Sequence, residues 1–254
     1  MMKTILLCGC DGKMGQVIAR CVTERTDCRI AAGIDKTGAV LNDFPVVSSP
    51  EQLEPCADVM IDFSHPSALN GLLDYALKHK MPAVFCTTGC SAEQVEQIHE
   101  AAKSIPVFHS GNMSLGINLL IALAKTAVSV LGDGFDVEII EKHHNQKIDA
   151  PSGTALMIAD AVSECMQQPA EYMYDRHAQR KKRAKNEIGI HSIRGGTIVG
   201  EHEILFAGHD ETVSISHSAQ SKEIFAVGAI NAALFLVGKE PGLYDMNDLI
   251  RAAQ

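Results

Sequence analysis

The chain predicts an α/β protein: a Rossmann-like, doubly wound parallel sheet joined to a second, α+β domain with a mixed or antiparallel sheet. Three observations carry this. Short apolar runs alternate with amphipathic helical patterns from residue 4 to about residue 110, the mark of parallel strands joined by crossover helices. Glycines 9, 12 and 15 stand between the first such run and the first helical pattern. After Ser114 the texture changes to long apolar helical stretches, then to three β-rich segments, 188–193, 198–206 and 212–218, with partial period-two alternation that fits antiparallel pairing.

Residues 4–8 read as a short buried strand, and Gly9-Cys10-Asp11-Gly12-Lys13-Met14-Gly15 follows it directly. Glycines so placed allow a tight turn, close approach of a pyrophosphate and tight helix–strand packing, a variant of the dinucleotide fingerprint. The second strand, 29–34, ends in Asp35-Lys36, about 20 residues past the glycines, where an acid is expected at the adenosine ribose. Lys36 could pair instead with a 2′-phosphate, so the two residues leave NADH against NADPH open. Strands at 59–63, 82–85 and 106–109 end at Ser64, at Cys86-Thr87-Thr88 and at Ser110-Gly111-Asn112-Met113, with helices at 67–79 and 91–104 between them. Ligands of such sheets bind at the carboxyl ends of the strands, where all these residues lie.

In the second half, an apolar run at 137–140 reads as a strand that ends at a cationic loop containing His143, His144 and Lys147. Ala150-Pro151-Ser152-Gly153-Thr154 then opens an apolar helix reaching about residue 166. A helix N-terminus favours bound anions. Beside one lysine and two imidazoles, it makes a site for a carboxylate-bearing ligand, although Ser152 could be a plain N-cap and the histidines solvated surface.

Composition bounds the alternatives. The 254 residues are 46% hydrophobic and 21% charged, with a formal charge of −9, which argues against nucleic acid as partner. The basic run 176–185 reads as a solvated loop, with a gate over an anionic substrate or a nucleic-acid contact as rival readings. No apolar run is expected to reach membrane-spanning length, and residues 4–8 are too short for a signal core, so a cytoplasmic protein without a membrane partner is expected. The eight cysteines form no Cys-x-x-Cys pair; no metal is expected, zinc through Cys86 and Cys90 being poorly spaced.

Seven segments together resemble the dihydrodipicolinate reductase family, also called 4-hydroxy-tetrahydrodipicolinate reductases. They are Gly9–Gly15 (GCDGKMG), Asp62-Phe-Ser, Thr87-Thr-Gly89, Asn112-Met-Ser-Leu-Gly116, the run Glu141 to Thr154, Arg194-Gly-Gly-Thr-Ile-Val-Gly-Glu-His202 and Gly242-Leu-Tyr-Asp-Met246. The likeness spans the chain in order, and His-His-x-x-Lys followed by Pro-Ser-Gly-Thr is its most specific part.

The resemblance implies a dinucleotide-binding domain, residues 1–113 with 221–254, and a substrate-binding and oligomerisation domain, 114–220, in a homotetramer. It implies NADH- or NADPH-dependent reduction of a small cyclic dicarboxylate in lysine and diaminopimelate synthesis. On this likeness His143 and Lys147 are catalytic, and His144, Ser152, Gly153 and Thr154 bind substrate. Gly9, Cys10, Asp11, Gly12, Lys13, Met14, Asp35, Lys36, Cys86, Thr87, Thr88, Ser110, Gly111, Asn112 and Met113 bind cofactor. The chain departs from the family pattern at Cys86, where many members have glycine, at Lys13 in place of arginine, and at the less basic pair Asn145-Gln146. Two readings compete: one from another class, a protein that senses NAD(P) without turnover, and a reductase of another small carboxylate.

Overall fold

The computed structural model describes residues 2–38, 43–177 and 180–252. In chain order the first half holds β1 (Lys3–Cys8), α1 (Lys13–Thr23), β2 (Cys28–Ile34), β3 (Val46–Val47), β4 (Val59–Asp62), α2 (Leu69–Lys78), β5 (Ala83–Phe85), α3 (Ala92–Ala101) and β6 (Pro106–His109). The long helix α4 (Leu115–Leu131) leads to β7 (Asp136–His143), α5 (Gly153–Ser163), β8 (Glu171–Met173), β9 (Glu187–Arg194), β10 (Gly200–Ala207) and β11 (Thr212–Ala219). The chain closes with α6 (Glu223–Leu236), β12 (Gly242–Tyr244) and α7 (Met246–Ala252). It divides into two compact units, residues 1–115 with 223–254 and residues 116–222.

The first unit is a seven-stranded sheet in the order β12-β6-β5-β4-β1-β2-β3, every pairing parallel. Strand β4 is buried along its whole length and β1 from Ile5 to Cys8, because helices cover both faces. On one face Ile5, Leu7 and Ile61 pack with Ile18 of α1 and Ala229 and Ile230 of α6. On the other, Leu6 and Met60 pack with Leu69, Leu72 and Leu73 of α2 and Ile98 of α3. Helix α3 begins as the sequence asks, with Ser91 accepting the N–H of Gln94 while the Gln94 side chain accepts the N–H of Ser91.

The second unit is a five-stranded sheet, β11-β10-β7-β9-β8, with α4 and α5 on one face. The expected antiparallel pairing holds for β10 against β7 and β11. Strands β8 and β9 run parallel to their neighbours instead, so the sheet is mixed, because α5 carries the chain back over the sheet between β7 and its partner β9. Strand β7 also outruns the 137–140 expected for it. Ladder partners on both sides, Lys142 with Glu201 and with Ile193, hold it extended through His143. His143 therefore belongs to a strand and not to the loop after it.

One further expectation is corrected and another refined. The run Leu115–Gly134 is long and apolar enough, by length and composition, to cross a membrane, since helix and turn extend beyond the apolar core of the segment. Leu120, Ala124 and Val128 of this helix pack into the core of the second unit. The basic run 176–185, of which residues 178 and 179 lie outside the described residues, keeps Arg180, Lys181 and Lys182 exposed, as a solvated loop requires, but two of its arginines are tied down. Arg176 bonds Glu138 and Glu187, and Arg183 bonds Asp136 and Glu138, which pins both to the acidic residues of β7 and β9.

Candidate active site

In the first unit the glycine loop is shaped by close approach. Gly9 has φ +76°, and a Cβ there would stand 2.6 Å from the carbonyl oxygen of Phe63. A Cβ on Gly15 would collide with the carbonyl oxygen of Gly9. Helix α1 therefore lies against the turn with its N-cap, Gly12, offering no side chain to its first N–H groups and no acid in its first turn. Such an end is electropositive and suits a pyrophosphate.

Asp35, at the end of β2, accepts the backbone N–H of Asp11 at 3.0 Å, which ties the acid to the glycine loop. Gly9, Gly12, Asp35 and Lys36 line a cavity of about 520 Å³, together with Ser49, Glu51, Ser64 and His65. Met14, Cys86, Thr87, Thr88, Ser110, Gly111, Asn112 and Met113 line a second of about 500 Å³ in the same unit. Phe63 borders both, so the two cavities follow one another along the strand ends. The cradle thus fits a dinucleotide.

Three of the predicted cofactor residues lie in neither cavity wall. Cys10 is buried against Gly33, and burial, with the carboxylates of Asp11 and Asp35 next, pushes its thiol up to about 12. The side chain of Asp11 accepts from Thr37 Oγ1 at 2.7 Å, and Lys13 is the exposed first residue of α1. Among the described residues Cys10, Asp11 and Asp35 form the one group of three that could hold a metal ion, and they already bond one another through Cys10 Sγ to Asp11 and the Asp11 N–H to Asp35.

Asp62, which sequence reasoning left without a role, is fully buried at the end of β4. It accepts Thr87 Oγ1 at 2.7 Å and the N–H of Ser64 at 2.9 Å, fixing two segments of the cavity wall. Burial raises its carboxyl above the ordinary range because its donors are all neutral.

In the second unit one carboxylate gathers the site. Glu141, fully buried, lies two residues before His143 on the same face of β7. Its Oε2 meets His143 Nδ1 at 2.6 Å and an Arg194 nitrogen at 2.8 Å. Oε1 meets the other Arg194 nitrogen at 2.7 Å and the N–H of Ser152 at 3.1 Å. Burial would raise this carboxyl, but hydrogen bonds from Arg194, His143, Ser192 and Ser152 outweigh it and hold the group down at about 2.

Ser152 caps α5, its Oγ accepting the N–H of Ala155 at 3.1 Å, and it also bonds His202 Nε2 at 3.1 Å. His202 lies across from Glu141 on β10. Burial, with His143 next, lowers its pKa to about 4. Its ring stands edge-on to that of His143 with centroids 5.3 Å apart. Open space surrounds the position where a side chain on Gly153 would stand, so a ligand can approach the first turn of α5 there. Thr154 follows in that turn.

The loop between strand and helix turns back on itself. The N–H of Lys147 reaches the carbonyl of His144, and the N–H of Asn145 that of Gly196. Lys147 Nζ pairs with Asp149 at 2.8 Å, and Arg194 also donates to the Asp149 carbonyl. His143, Lys147, Ser152 and Gly153 are thus gathered by one network, with His144 half-buried at its edge. Sequence reasoning gave no role to Glu141, Arg194 or His202. The signal for Glu141 was its two-residue spacing from His143.

The comparisons with known proteins agree with one another. Residues 3–113 match the family model described as dihydrodipicolinate reductase, N-terminus, and residues 116–250 the one described as dihydrodipicolinate reductase, C-terminus. The chain is 53% identical over 251 residues to 4-hydroxy-tetrahydrodipicolinate reductase of Caldanaerobacter subterraneus subsp. tengcongensis, covering 99% of each chain. It is 47% identical to that of Clostridium tetani, over 99% of this chain and 98% of the other. Among solved structures, dipicolinate-bound dihydrodipicolinate reductase from Paenisporosarcina sp. TG-14 superposes with TM-score 0.80 at 26% identity, covering 97% of this chain and 99% of that one. A myo-inositol dehydrogenase from Corynebacterium glutamicum, TM-score 0.62 at 17% identity over 99% of this chain and 93% of that one, shares the fold. With both halves matched and close relatives aligned from end to end, this chain belongs to the dihydrodipicolinate reductase family.

Proposed function

We propose that the chain is an NAD(P)H-dependent reductase that converts 4-hydroxy-tetrahydrodipicolinate to tetrahydrodipicolinate, in the cytoplasm, for lysine and diaminopimelate synthesis. Family membership supplies the substrate. The observation that carries the chemistry is the meeting of the β7 end with the N-terminus of α5 at one carboxylate, Glu141. It places an imidazole at the strand end, an ammonium on the loop and a helix N-terminus beside one another, the equipment for a small dicarboxylate.

The first unit is assigned the cofactor and the second the substrate and the assembly of a homotetramer. The glycine loop and the end of α1 hold the pyrophosphate, Asp35 the adenosine ribose with Lys36 beside it, and Thr87, Thr88 and Ser110–Met113 the nicotinamide half. When bound, the reduced nicotinamide supplies a hydride to a ring carbon of the substrate. Ser152, Gly153 and Thr154 hold one substrate carboxylate at the end of α5, with His144 alongside. Lys147 leaves Asp149 and places its charge against the electron density that the hydride creates. His143 delivers the proton from Nε2, since Nδ1 is committed to Glu141, and the 4-hydroxyl of the substrate is lost as water, so that one hydride and one proton enter and one water leaves.

The test is cofactor oxidation followed by absorbance, with substrate made in situ by a dihydrodipicolinate synthase from pyruvate and aspartate semialdehyde. Synthase-dependent oxidation supports the reading, and the specificity constants for NADH and NADPH show how Asp35 and Lys36 divide the ribose. Binding of both cofactors without oxidation would favour the sensor reading. Lys147→Ala should lower kcat by about 10²–10⁴-fold; near-normal turnover would remove Lys147 from the mechanism. Light scattering in solution tests the tetramer.

A further inference from the structure

We propose that Glu141 is a positioning residue for this reduction: one buried carboxylate that sets which nitrogen of His143 faces the reaction and docks the carboxylate-binding end of α5 beside it. The inference rests on the assignment of His143 and α5 to the substrate. It goes further by giving a group that never touches substrate command of both.

The carboxylate is held from several sides: Arg194 bonds both oxygens, His143 Nδ1 meets one and the Ser152 N–H the other, with Ser192 a further donor. Held ionised, Glu141 can only accept, so Nδ1 of His143 must carry the hydrogen and the proton that moves sits on Nε2. Nε2 lies where a Cβ on Gly200 would stand 3.1 Å away, and glycine at that position keeps it uncrowded.

The bond to Ser152 does for the helix what the bond to Nδ1 does for the ring. Ser152 is the N-cap, so tying its N–H to Glu141 fixes where the first turn of α5 points. The titratable and charged groups around Glu141 are His143 on its own strand, Arg194 on β9, His202 on β10 and Lys147 on the loop. Arg194 grips the carboxylate through two nearly equal bonds.

A buried Glu–Arg pair kept only for structure can often be exchanged for apolar residues without loss. Positioning makes a different demand, because misplacement of a reacting group by about 1 Å can cost about 10²-fold in rate. Glu141→Gln is therefore to be measured for kcat, for the KM of substrate, for NADH affinity, for melting temperature and for the ¹⁵N imidazole signals of His143. The double variant Glu141→Gln/Arg194→Met removes both charges, so that no stranded guanidinium confuses folding with function.

The expected result is a folded protein with NADH affinity within about twofold of the parent and kcat lower by about 10²-fold, the hydrogen on Nδ1 no longer fixed. Affinity for dipicolinate should fall by about tenfold as α5 loosens. A folded variant with kcat within about threefold of the parent, or with the Nδ1–H pattern of His143 unchanged, overturns the proposal. If neither variant folds, the unmutated protein decides: Nδ1 protonated with Nε2 titrating upholds it, and the reverse tautomer overturns it. Should the parent oxidise neither cofactor, the assigned function falls by that result alone, and the His143 signals and dipicolinate affinity still judge Glu141.

Discussion

Asp62 and Glu141 are each fully buried carboxylates near the carboxyl end of an interior strand, one in each unit, and their surroundings drive them in opposite directions. Asp62 receives only neutral donors, Thr87 Oγ1 and the Ser64 N–H, so the cost of burial prevails and its pKa rises. Glu141 suffers burial too, but the Arg194 fork, His143 and the Ser152 N–H overcome it. The proposed function gives the difference a purpose. On that reading Asp62 fixes a wall for a ligand that brings its own charge, whereas around Glu141 a proton moves and a permanent negative charge keeps the imidazole hydrogen on one nitrogen. Burial alone says nothing of a carboxylate's state; the charge of its donors decides it.

The largest break in this contrast comes from Arg194→Met without any change at Glu141. It strands an ionised group in the core of the second unit, and loss of one partner of such a pair costs about 3–5 kcal/mol. Chemical denaturation should show that loss in the variant, and restoration of most of it when Glu141→Gln is added. A loss below about 1 kcal/mol would mean that solvent reaches Glu141 and that the contrast with Asp62 is false.

Acid comes next. His202 is lowered from 6.5 to about 4, so the unfolded chain takes up its proton first. The stability it contributes is complete above pH 6.5 and is lost as pH falls toward 4, a matter of about 3 kcal/mol. Glu141, lowered from 4.5 to about 2, keeps its contribution until pH 4.5 and loses it toward 2. Unfolding measured from pH 7 to pH 4 should decline through the first window in the parent and flatten in His202→Gln. A decline of equal depth in that variant would place the sensitive group elsewhere.

The cofactor half was legible in the sequence because its determinants are local. Gly9, Gly12 and Gly15 announce a backbone approach within seven residues, and strand ends carry ligand-facing residues wherever they fall. The second unit was half legible. Val137, Ile139, Glu141 and His143 alternate inward along β7, yet a glutamate at the third inward position reads as the end of a strand. Only Arg194, 53 residues later in the chain, makes Glu141 a core residue, and no local pattern reports a pairing at that range. Arg176 and Arg183 misled for the same reason, since Glu138, Asp136 and Glu187 meet them only once the sheet has formed. The parallel placement of β9 likewise depends on the crossover through α5, which the alternation within β9 does not record.

The smallest effect should come from Asp62→Asn, and its smallness is the point. The amide oxygen can accept one of the two bonds, and the Thr87 hydroxyl can turn to accept from the new NH₂. Stability at neutral pH should stay within about 1 kcal/mol of the parent, with NADH affinity little changed. The pH dependence carries the sharper sign. A carboxyl whose pKa is raised on folding costs the parent stability above its ordinary titration range and relieves that cost as pH falls. The variant has no such cost, so its stability relative to the parent should improve as pH rises from about 4 to 7. If the variant instead lost ground over that interval, Asp62 would be a stabilised anion like Glu141, and the two units would be built on the same electrostatic plan.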